Sequence, residues 1–143
     1  MLNPFGLYIH VPYCLQRCSY CDFFTLTLEQ HRSSAFSNYL TALLQEIECL
    51  APDWEGRPIS SIFLGGGTPS LLEPSELEQI FAAIHRYWEV LPHAEVTLEV
   101  NPETVSLSKL RAYRALGVNR LSMGVQTLNQ EGLALLGRNH TVG

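Results

Sequence analysis

The stretch that decides the fold is Leu7-Tyr8-Ile9-His10-Val11 followed by Cys14-Leu15-Gln16-Arg17-Cys18-Ser19-Tyr20-Cys21. The first five residues form a short apolar run typical of a strand, and three cysteines follow it at CxxxCxxC spacing. Electron-transfer iron–sulfur clusters usually take four cysteine ligands, so a loop with three thiolates leaves one iron open for chemistry. The motif therefore predicts a cluster site directly after the first strand.

Two other readings of the cysteines stay open at this point. A structural zinc site needs a fourth ligand, which His10 offers, although such sites usually bring two separate ligand pairs. A disulfide framework needs more cysteines and a secretory signal, and the sequence shows neither. Cys49 falls within an apolar helical pattern, and we expect it to be a small buried hydrophobic residue.

The bulk composition indicates one soluble globular domain, with 143 residues, 46% hydrophobic and 16% charged. A formal net charge of −5 and the lack of a basic cluster argue against nucleic acid as a partner. The sequence has no apolar run of membrane-spanning length, and its first strand begins soon after Met1. We therefore expect no transmembrane segment, no targeting peptide and a cytoplasmic location, where reducing conditions keep thiols free for metal.

Strand and helix patterns alternate four times along the chain. The predicted strands are residues 7–11, 59–64, 96–100 and 118–125, and the predicted helices are residues 35–50, a helix opened by Pro74 and Ser75, a helix capped by Ser106 or Ser108 that ends at Gly117, and residues 129–136. Short connections between such units require parallel strands joined by helical crossovers. The fold class is therefore α/β, with a sheet that is open or barrel-like.

Each further motif comes directly after one of these strands, where parallel α/β folds place their ligands. Gly65-Gly66-Gly67-Thr68-Pro69-Ser70 lets backbone N–H groups approach a ligand, or is only a tight turn. Glu99 is costly to bury without a partner, and a salt bridge would satisfy it. Without the cysteine loop, we would predict Gln126 and Arg138 to be surface or turn residues. Their placement beside it favours a ligand pocket.

Together these motifs resemble the radical S-adenosylmethionine (SAM) superfamily, from about residue 6 to residue 142. The segments that carry the resemblance are residues 8–23, 65–70, 99–102 and 124–127. Within the superfamily the chain resembles the branch of oxygen-independent coproporphyrinogen III oxidases and radical SAM heme chaperones. The oxidases carry a further cysteine where this chain has Phe23, and a long extension before the first strand. The resemblance is therefore stronger to the heme chaperones.

The resemblance implies a partial (β/α) barrel in which Cys14, Cys18 and Cys21 bind a [4Fe–4S] cluster, with SAM chelating the open iron. The positions that match SAM-lining residues are Tyr8, Tyr20, Gly66, Gly67, Thr68, Glu99, Gln126 and Arg138. The glycine loop would meet the methionine end of SAM, and Tyr20 would pack near the adenine.

For function, the resemblance implies a chaperone that binds heme and passes it to acceptor haemoproteins, with an electron donor for the cluster. The alternative is an oxygen-independent coproporphyrinogen III oxidase, and a third possibility is a fragment that retains only the cluster fold. We assign no catalytic residue, and no heme ligand among His10, His31, His85, His93 and His140. Because no element covers the last predicted strand, we expect residues 1–143 to be the N-terminal portion of a radical SAM core with four βα units.

Overall fold

The computed structural model describes residues 2–28, 32–138 and 140–141. In chain order the elements are β1 (Phe5–Val11), β2 (Tyr13–Cys14), β3 (Leu26–Thr27), α1 (Arg32–Leu50), β4 (Ile59–Gly66), α2 (Pro74–Tyr87), β5 (Val90–Val100), α3 (Leu107–Ala115), β6 (Arg120–Met123) and α4 (Gln130–Leu135). The predicted alternation of four strands and four helices is confirmed.

The main sheet has the strand order β1-β4-β5-β6, and every neighbouring pair is parallel. The register places Tyr8 beside Phe63, Phe63 beside Thr97, and Thr97 beside Arg120. The predicted α/β class with parallel strands is therefore confirmed. Because all four strands run the same way, their carboxyl ends meet at one edge of the sheet.

The hydrophobic core lies between one face of the sheet and the helices. All four apolar positions predicted for α2 are buried, namely Leu77, Ile80, Phe81 and Ile84. In α1, Phe36, Leu40 and Ile47 are buried, while Tyr39, Leu43 and Leu44 pack at the edge of the core. On the other face of the sheet Tyr8 is 56% exposed. The helices therefore cover only one face of this sheet.

Local sequence signals set the helix ends. Pro74 opens α2 with its φ already suited to a first helical turn. Of the two serines considered for α3, Ser106 is the cap, since its hydroxyl oxygen accepts from the Lys109 N–H at 3.2 Å. Gly117 follows α3 with a φ of +113°, a conformation that favours glycine.

Several strand boundaries differ from the prediction, and the starts of β5 and β6 have a clear physical reason. β5 begins at Val90 rather than at residue 96, because Val90 already pairs with Ile59. The exposed Pro92 and His93 interrupt the apolar alternation that would have revealed this start. β6 begins only at Arg120, since the Val118 N–H donates to the Tyr113 carbonyl at the end of α3.

The short ladder of β2 with β3 was not predicted. The Leu26 N–H donates to the Pro12 carbonyl at 2.7 Å, and the Leu28 N–H donates to the Cys14 carbonyl at 2.9 Å. Strands of two residues are too short to produce a periodic pattern. The ladder joins the two ends of the cysteine loop and so limits the loop's freedom.

The expectation that Cys49 is buried is wrong, because its side chain is exposed. The buried face of α1 is formed by Phe36, Leu40 and Ile47. At about 100° per residue, a position two residues beyond Ile47 points away from that face. Helical periodicity, rather than the apolar character of cysteine, decides where this thiol lies.

Within the residues that the structure describes, no helix is both long and apolar enough to cross a bilayer.

The hydrogen bonds between Tyr113 of α3 and the segment after the glycine loop allow a test of the fold. The hydroxyl of the buried Tyr113 lies 2.6 Å from the Leu72 carbonyl and 3.2 Å from the Ser70 carbonyl. We expect Tyr113→Phe to lower the free energy of unfolding by about 1–3 kcal/mol, because buried acceptors lose their donor. Urea denaturation measures this loss.

Tyr87→Phe is the matched control, since the Tyr87 hydroxyl has no hydrogen-bond partner among the described residues. Its effect should stay within about 0.5 kcal/mol. Equal losses in the two variants would show that the Tyr113 hydroxyl contributes nothing specific.

Candidate functional site

A cavity of about 220 Å³ opens at the carboxyl edge of the sheet. Its walls come from the cysteine loop, the glycine loop after β4, the end of β5 and the segment after β6. They include every predicted cofactor and metal residue except Tyr8, namely Cys14, Cys18, Tyr20, Cys21, Gly66, Gly67, Thr68, Glu99, Gln126 and Arg138. Motifs that are distant in the sequence therefore meet at one place.

Tyr8 lies beside this cavity rather than in its wall. Its hydroxyl is 3.0 Å from His10 Nδ1, and its ring stacks on Phe63 with 6.0 Å between centroids. Partial burial raises the pKa of the Tyr8 hydroxyl, and the nearby Glu99 carboxylate raises it further. The Tyr8 hydroxyl is therefore close enough to interact electrostatically with the Glu99 carboxylate. Contact between Tyr8 and a cofactor stays a prediction.

The cysteine loop presents three free, half-buried thiols to the cavity. A turn in which the Cys21 N–H donates to the Cys18 carbonyl at 3.2 Å shapes the loop. Burial raises the pKa of the Cys14 thiol, and a hydrogen bond from Thr68 Oγ1 to Cys14 Sγ, 3.5 Å long, opposes that rise. Because metals bind the thiolate, a donor that favours the thiolate suits a metal ligand.

The glycine loop packs directly against the backbone of the cysteine loop. The Gly67 N–H donates to the Val11 carbonyl at 2.7 Å, and a β-carbon on Gly67 would lie 2.6 Å from the Tyr13 carbonyl oxygen. Gly66 has a φ of +112°, which only glycine adopts readily. From the sequence, these glycines could either admit a ligand or form only a tight turn. In the structure, the contact between the two loops also requires them.

Glu99 finds its partner in the glycine loop. The half-buried carboxylate accepts from the Gly66 N–H, with Oε2 at 3.1 Å. The partner is therefore a backbone donor, not the salt bridge considered from the sequence. This contact ties the end of β5 to the loop after β4.

Arg138 is a buried member of the site, only 9% exposed, and not a surface residue. Its Nη2 donates to Asn101 Oδ1 at 2.8 Å and to the Gly124 carbonyl at 2.7 Å, and its Nη1 lies 3.6 Å from Cys18 Sγ. Its Nε has no hydrogen-bond partner among the described residues. A buried donor without a partner, in the wall of a cavity, is suited to a ligand that supplies an acceptor.

Asn101 also lines the cavity, but it was not among the site residues predicted from the sequence. It belongs to the motif of residues 99–102, but it was given no role there. The available signal was its position directly after β5, at the edge where the other motifs lie.

Gln126 has an unusual backbone conformation for its residue type. Its φ of +65° makes it the one non-glycine residue with positive φ in the described part of the chain. Such a conformation costs about 1–3 kcal/mol and is often found at functional sites. Because Gln126 also lines the cavity, the strain and the predicted cofactor contact fall on the same residue.

Two aromatic side chains form part of the cavity wall at its exposed rim. Tyr20 is 46% exposed and Phe23 is 68% exposed. Partial burial raises the pKa of the Tyr20 hydroxyl, and a hydrogen bond with Cys18 raises it further. Exposed rings at a cavity mouth offer flat apolar surface on which a planar ligand can stack.

The cavity wall does not include the fourth zinc ligand considered from the sequence. His10, considered as the fourth zinc ligand, does not line the cavity, and its Nε2 lies 3.3 Å from the Phe24 carbonyl. No three His, Cys, Asp or Glu side chains of residues 2–28, 32–138 and 140–141 are grouped around one metal position. Three soft thiols that border a common cavity suit irons spread over a cluster.

A parallel α/β sheet that gathers three thiols and a glycine loop at its carboxyl edge belongs to the class of α/β proteins with a ligand site at the strand ends. The model of the radical SAM superfamily matches residues 8–143, and the chain belongs to this superfamily. The family generally implies a [4Fe–4S] cluster and SAM.

Individual relatives refine the comparison. The chain is 40% identical to the heme chaperone HemW of Synechocystis sp., with 97% of the chain and 34% of the relative covered. It is 38% identical to HemW of Escherichia coli, with 97% and 36% covered. The solved structure of the Escherichia coli coproporphyrinogen III oxidase HemN, a radical SAM enzyme, matches with a TM-score of 0.89 and 36% identity, over 96% of this chain and 31% of that one. The chain spans about a third of the length of these proteins.

Gly67→Ala tests the contact between the two loops. The added β-carbon would meet the backbone of Pro12 and Tyr13, which must shift to admit it. We expect the free energy of unfolding to fall by about 1–3 kcal/mol, as in other overpacked sites. We also expect faster alkylation of Cys14 by iodoacetamide, followed by mass spectrometry, because the neighbouring backbone moves.

Gly56→Ala serves as the control. Gly56 has a φ of +72°, so alanine there is strained, but this residue lies outside the cavity wall. It should lose stability without any change at Cys14. The same alkylation rate for Cys14 in both variants would contradict the role given to Gly67.

Proposed function

We propose that the protein is a heme chaperone that holds a [4Fe–4S] cluster and SAM, and that passes heme to acceptor haemoproteins. The proposal is carried by the three-thiol cavity in a chain that is similar over nearly its whole length to curated heme chaperones of several bacteria. Because the chain spans about a third of those relatives, the function is proposed for the protein as a whole.

The cluster ligands in this proposal are Cys14, Cys18 and Cys21. Their support is that all three thiols are free, half-buried and exposed to the same cavity. Three thiolates leave one iron of a four-iron cluster without a protein ligand. SAM takes that position in the proposal, and an external electron donor reduces the cluster.

The SAM residues are proposed from charge and shape. The amino-acid end of SAM carries an ammonium and a carboxylate group, and the cavity wall holds the Glu99 carboxylate and the Arg138 guanidinium. The unpaired Nε of Arg138 supports a role in holding an acceptor. Tyr20 offers a ring for the adenine, and Thr68, Gly66, Gly67 and Gln126 complete the wall. When bound, the cluster and SAM supply one-electron radical chemistry, and these residues orient SAM and exclude water.

The heme is proposed as cargo without an assigned ligand. His31 lies outside the described residues, and His85 and His93 are exposed away from the cavity. His140 contacts the segment after β6, where its Nε2 lies 3.2 Å from the Val125 carbonyl, so this nitrogen already has a backbone partner. We also propose a cytoplasmic location, because free thiols persist in reducing compartments.

The second candidate function is oxygen-independent coproporphyrinogen III oxidation, which the structural similarity to HemN favours. Phe23 weighs against it, since the oxidases resemble this chain but carry a further cysteine at that position. In this structure Phe23 is exposed at the cavity rim, where a cysteine would present another thiol. The two functions share the cofactors and differ in what happens to the porphyrin.

The ligand assignment predicts a specific pattern of iron loss. Anaerobic reconstitution should give about four irons per chain and a broad charge-transfer absorbance. Replacing Cys14, Cys18 or Cys21 with Ala should abolish both signals, because the cluster loses one of its three protein ligands. Cys49→Ala is the control and should keep full iron, as its thiol is exposed on α1. Iron loss in Cys49→Ala would overturn the three-cysteine assignment.

Porphyrin chemistry separates the two functions. The reconstituted protein is given heme in one reaction, and coproporphyrinogen III with SAM and dithionite in another, both without oxygen. We expect stoichiometric heme uptake, transfer of that heme to an apo-haemoprotein, and no decarboxylated porphyrin by chromatography. An unrelated protein of similar size measures nonspecific heme adsorption. Decarboxylated product without heme transfer would establish the oxidase instead.

A further inference from the structure

A chain of hydrogen bonds connects the sulfurs of Cys14 and Cys18 through three other side chains. Thr68 Oγ1 lies 3.5 Å from Cys14 Sγ and 3.4 Å from Asn101 Nδ2. Arg138 Nη2 lies 2.8 Å from Asn101 Oδ1, and Arg138 Nη1 lies 3.6 Å from Cys18 Sγ. We call Thr68, Asn101 and Arg138 the arch, with Asn101 at its centre.

The direction of every hydrogen bond in the arch follows from Arg138. A guanidinium can only donate, so the atom of Asn101 that faces it must be the carbonyl oxygen Oδ1. The amide nitrogen of Asn101 then faces Thr68 and donates to its hydroxyl oxygen. The Thr68 hydroxyl accepts this bond and directs its own proton to Cys14 Sγ. Both ends of the arch therefore donate to a cysteine sulfur.

The arch has little freedom to rearrange. The Asn101 N–H donates to Ser70 Oγ at 3.2 Å, and the Asn101 carbonyl accepts from Thr104 Oγ1 at 2.9 Å. Thr68 is 3% exposed and Arg138 is 9% exposed. Away from water, such hydrogen bonds are stronger and their geometry is more persistent.

We propose that Asn101 is a positioning residue that sets the reduction potential of the cluster by aiming Thr68 and Arg138 at the sulfurs of Cys14 and Cys18. The inference rests on the proposed cluster ligands. Reduction transfers one electron from an external donor to the cluster and increases the negative charge on its sulfurs. Hydrogen-bond donors aimed at those sulfurs stabilise the reduced form more than the oxidised form, and so raise the potential.

Asn101→Ala tests the proposal by removing the centre of the arch. We expect the equilibrium constant for reduction to fall about tenfold, which corresponds to a midpoint potential about 59 mV more negative. A dithionite titration of the reconstituted protein, followed by electron paramagnetic resonance, measures the potential. Iron is counted in the same samples.

Asn119→Ala is the matched control. The Asn119 side chain also holds β5 by two hydrogen bonds, to the Val96 N–H and to the Ala94 carbonyl, both at 2.8 Å. It lies at the other end of that strand, away from the cavity wall. We expect Asn119→Ala to lower the free energy of unfolding but to leave the midpoint potential of the cluster unchanged.

Two variants of Thr68 keep the test decisive if Asn101→Ala folds poorly. Thr68→Ser retains the hydroxyl and should keep the wild-type potential, whereas Thr68→Val removes the donor to Cys14 and should lower it. The double variant Asn101→Ala with Thr68→Val should shift less than the sum of the single variants, because both disturb the same donor.

The outcomes distinguish this inference from the proposed function. A wild-type protein that binds no iron overturns the cluster ligands and the inference together. A wild-type protein with a full cluster, and Asn101→Ala or Thr68→Val with an unchanged potential, overturns only the role of Asn101. An equal shift in Asn119→Ala also overturns it, since general loosening would then explain the change.

Discussion

The close approach of Gly67 to the backbone of Pro12 and Tyr13 is the constraint on which the site depends. It brings the loop after β4 into contact with the loop after β1, and the Gly67 N–H satisfies the Val11 carbonyl at the end of β1. Any side chain there would separate the two loops. The cysteines and the glycine loop can therefore border one cavity only because this position has no β-carbon.

Polar contacts then connect this pair of loops to the other strands. Glu99 at the end of β5 accepts from the Gly66 N–H, and Arg138 reaches from beyond α4 to Asn101 and Gly124. Each contact satisfies a polar group that would be costly to bury alone. The same groups that hold the site together also supply its charges of both signs.

The similarity to a heme chaperone family and to a coproporphyrinogen III oxidase is consistent with one cavity serving two outcomes. The thiols, the glycine loop, Glu99 and Arg138 line that one cavity. At the rim of the cavity Phe23 presents an exposed apolar ring. Such a ring offers flat apolar surface on which another planar group can stack.

The sequence by itself determined the four βα units, the buried face of α2 and the cysteine spacing, because these depend on local periodicity and on turn residues. Contacts between distant segments could not be read in this way. The β2–β3 ladder, the exposure of Cys49, the burial of Arg138 and the central place of Asn101 were decided by tertiary structure. Burial and hydrogen-bond partners depend on which strand ends lie together in space. Residues far apart in the sequence make these contacts, so local sequence patterns do not reveal them.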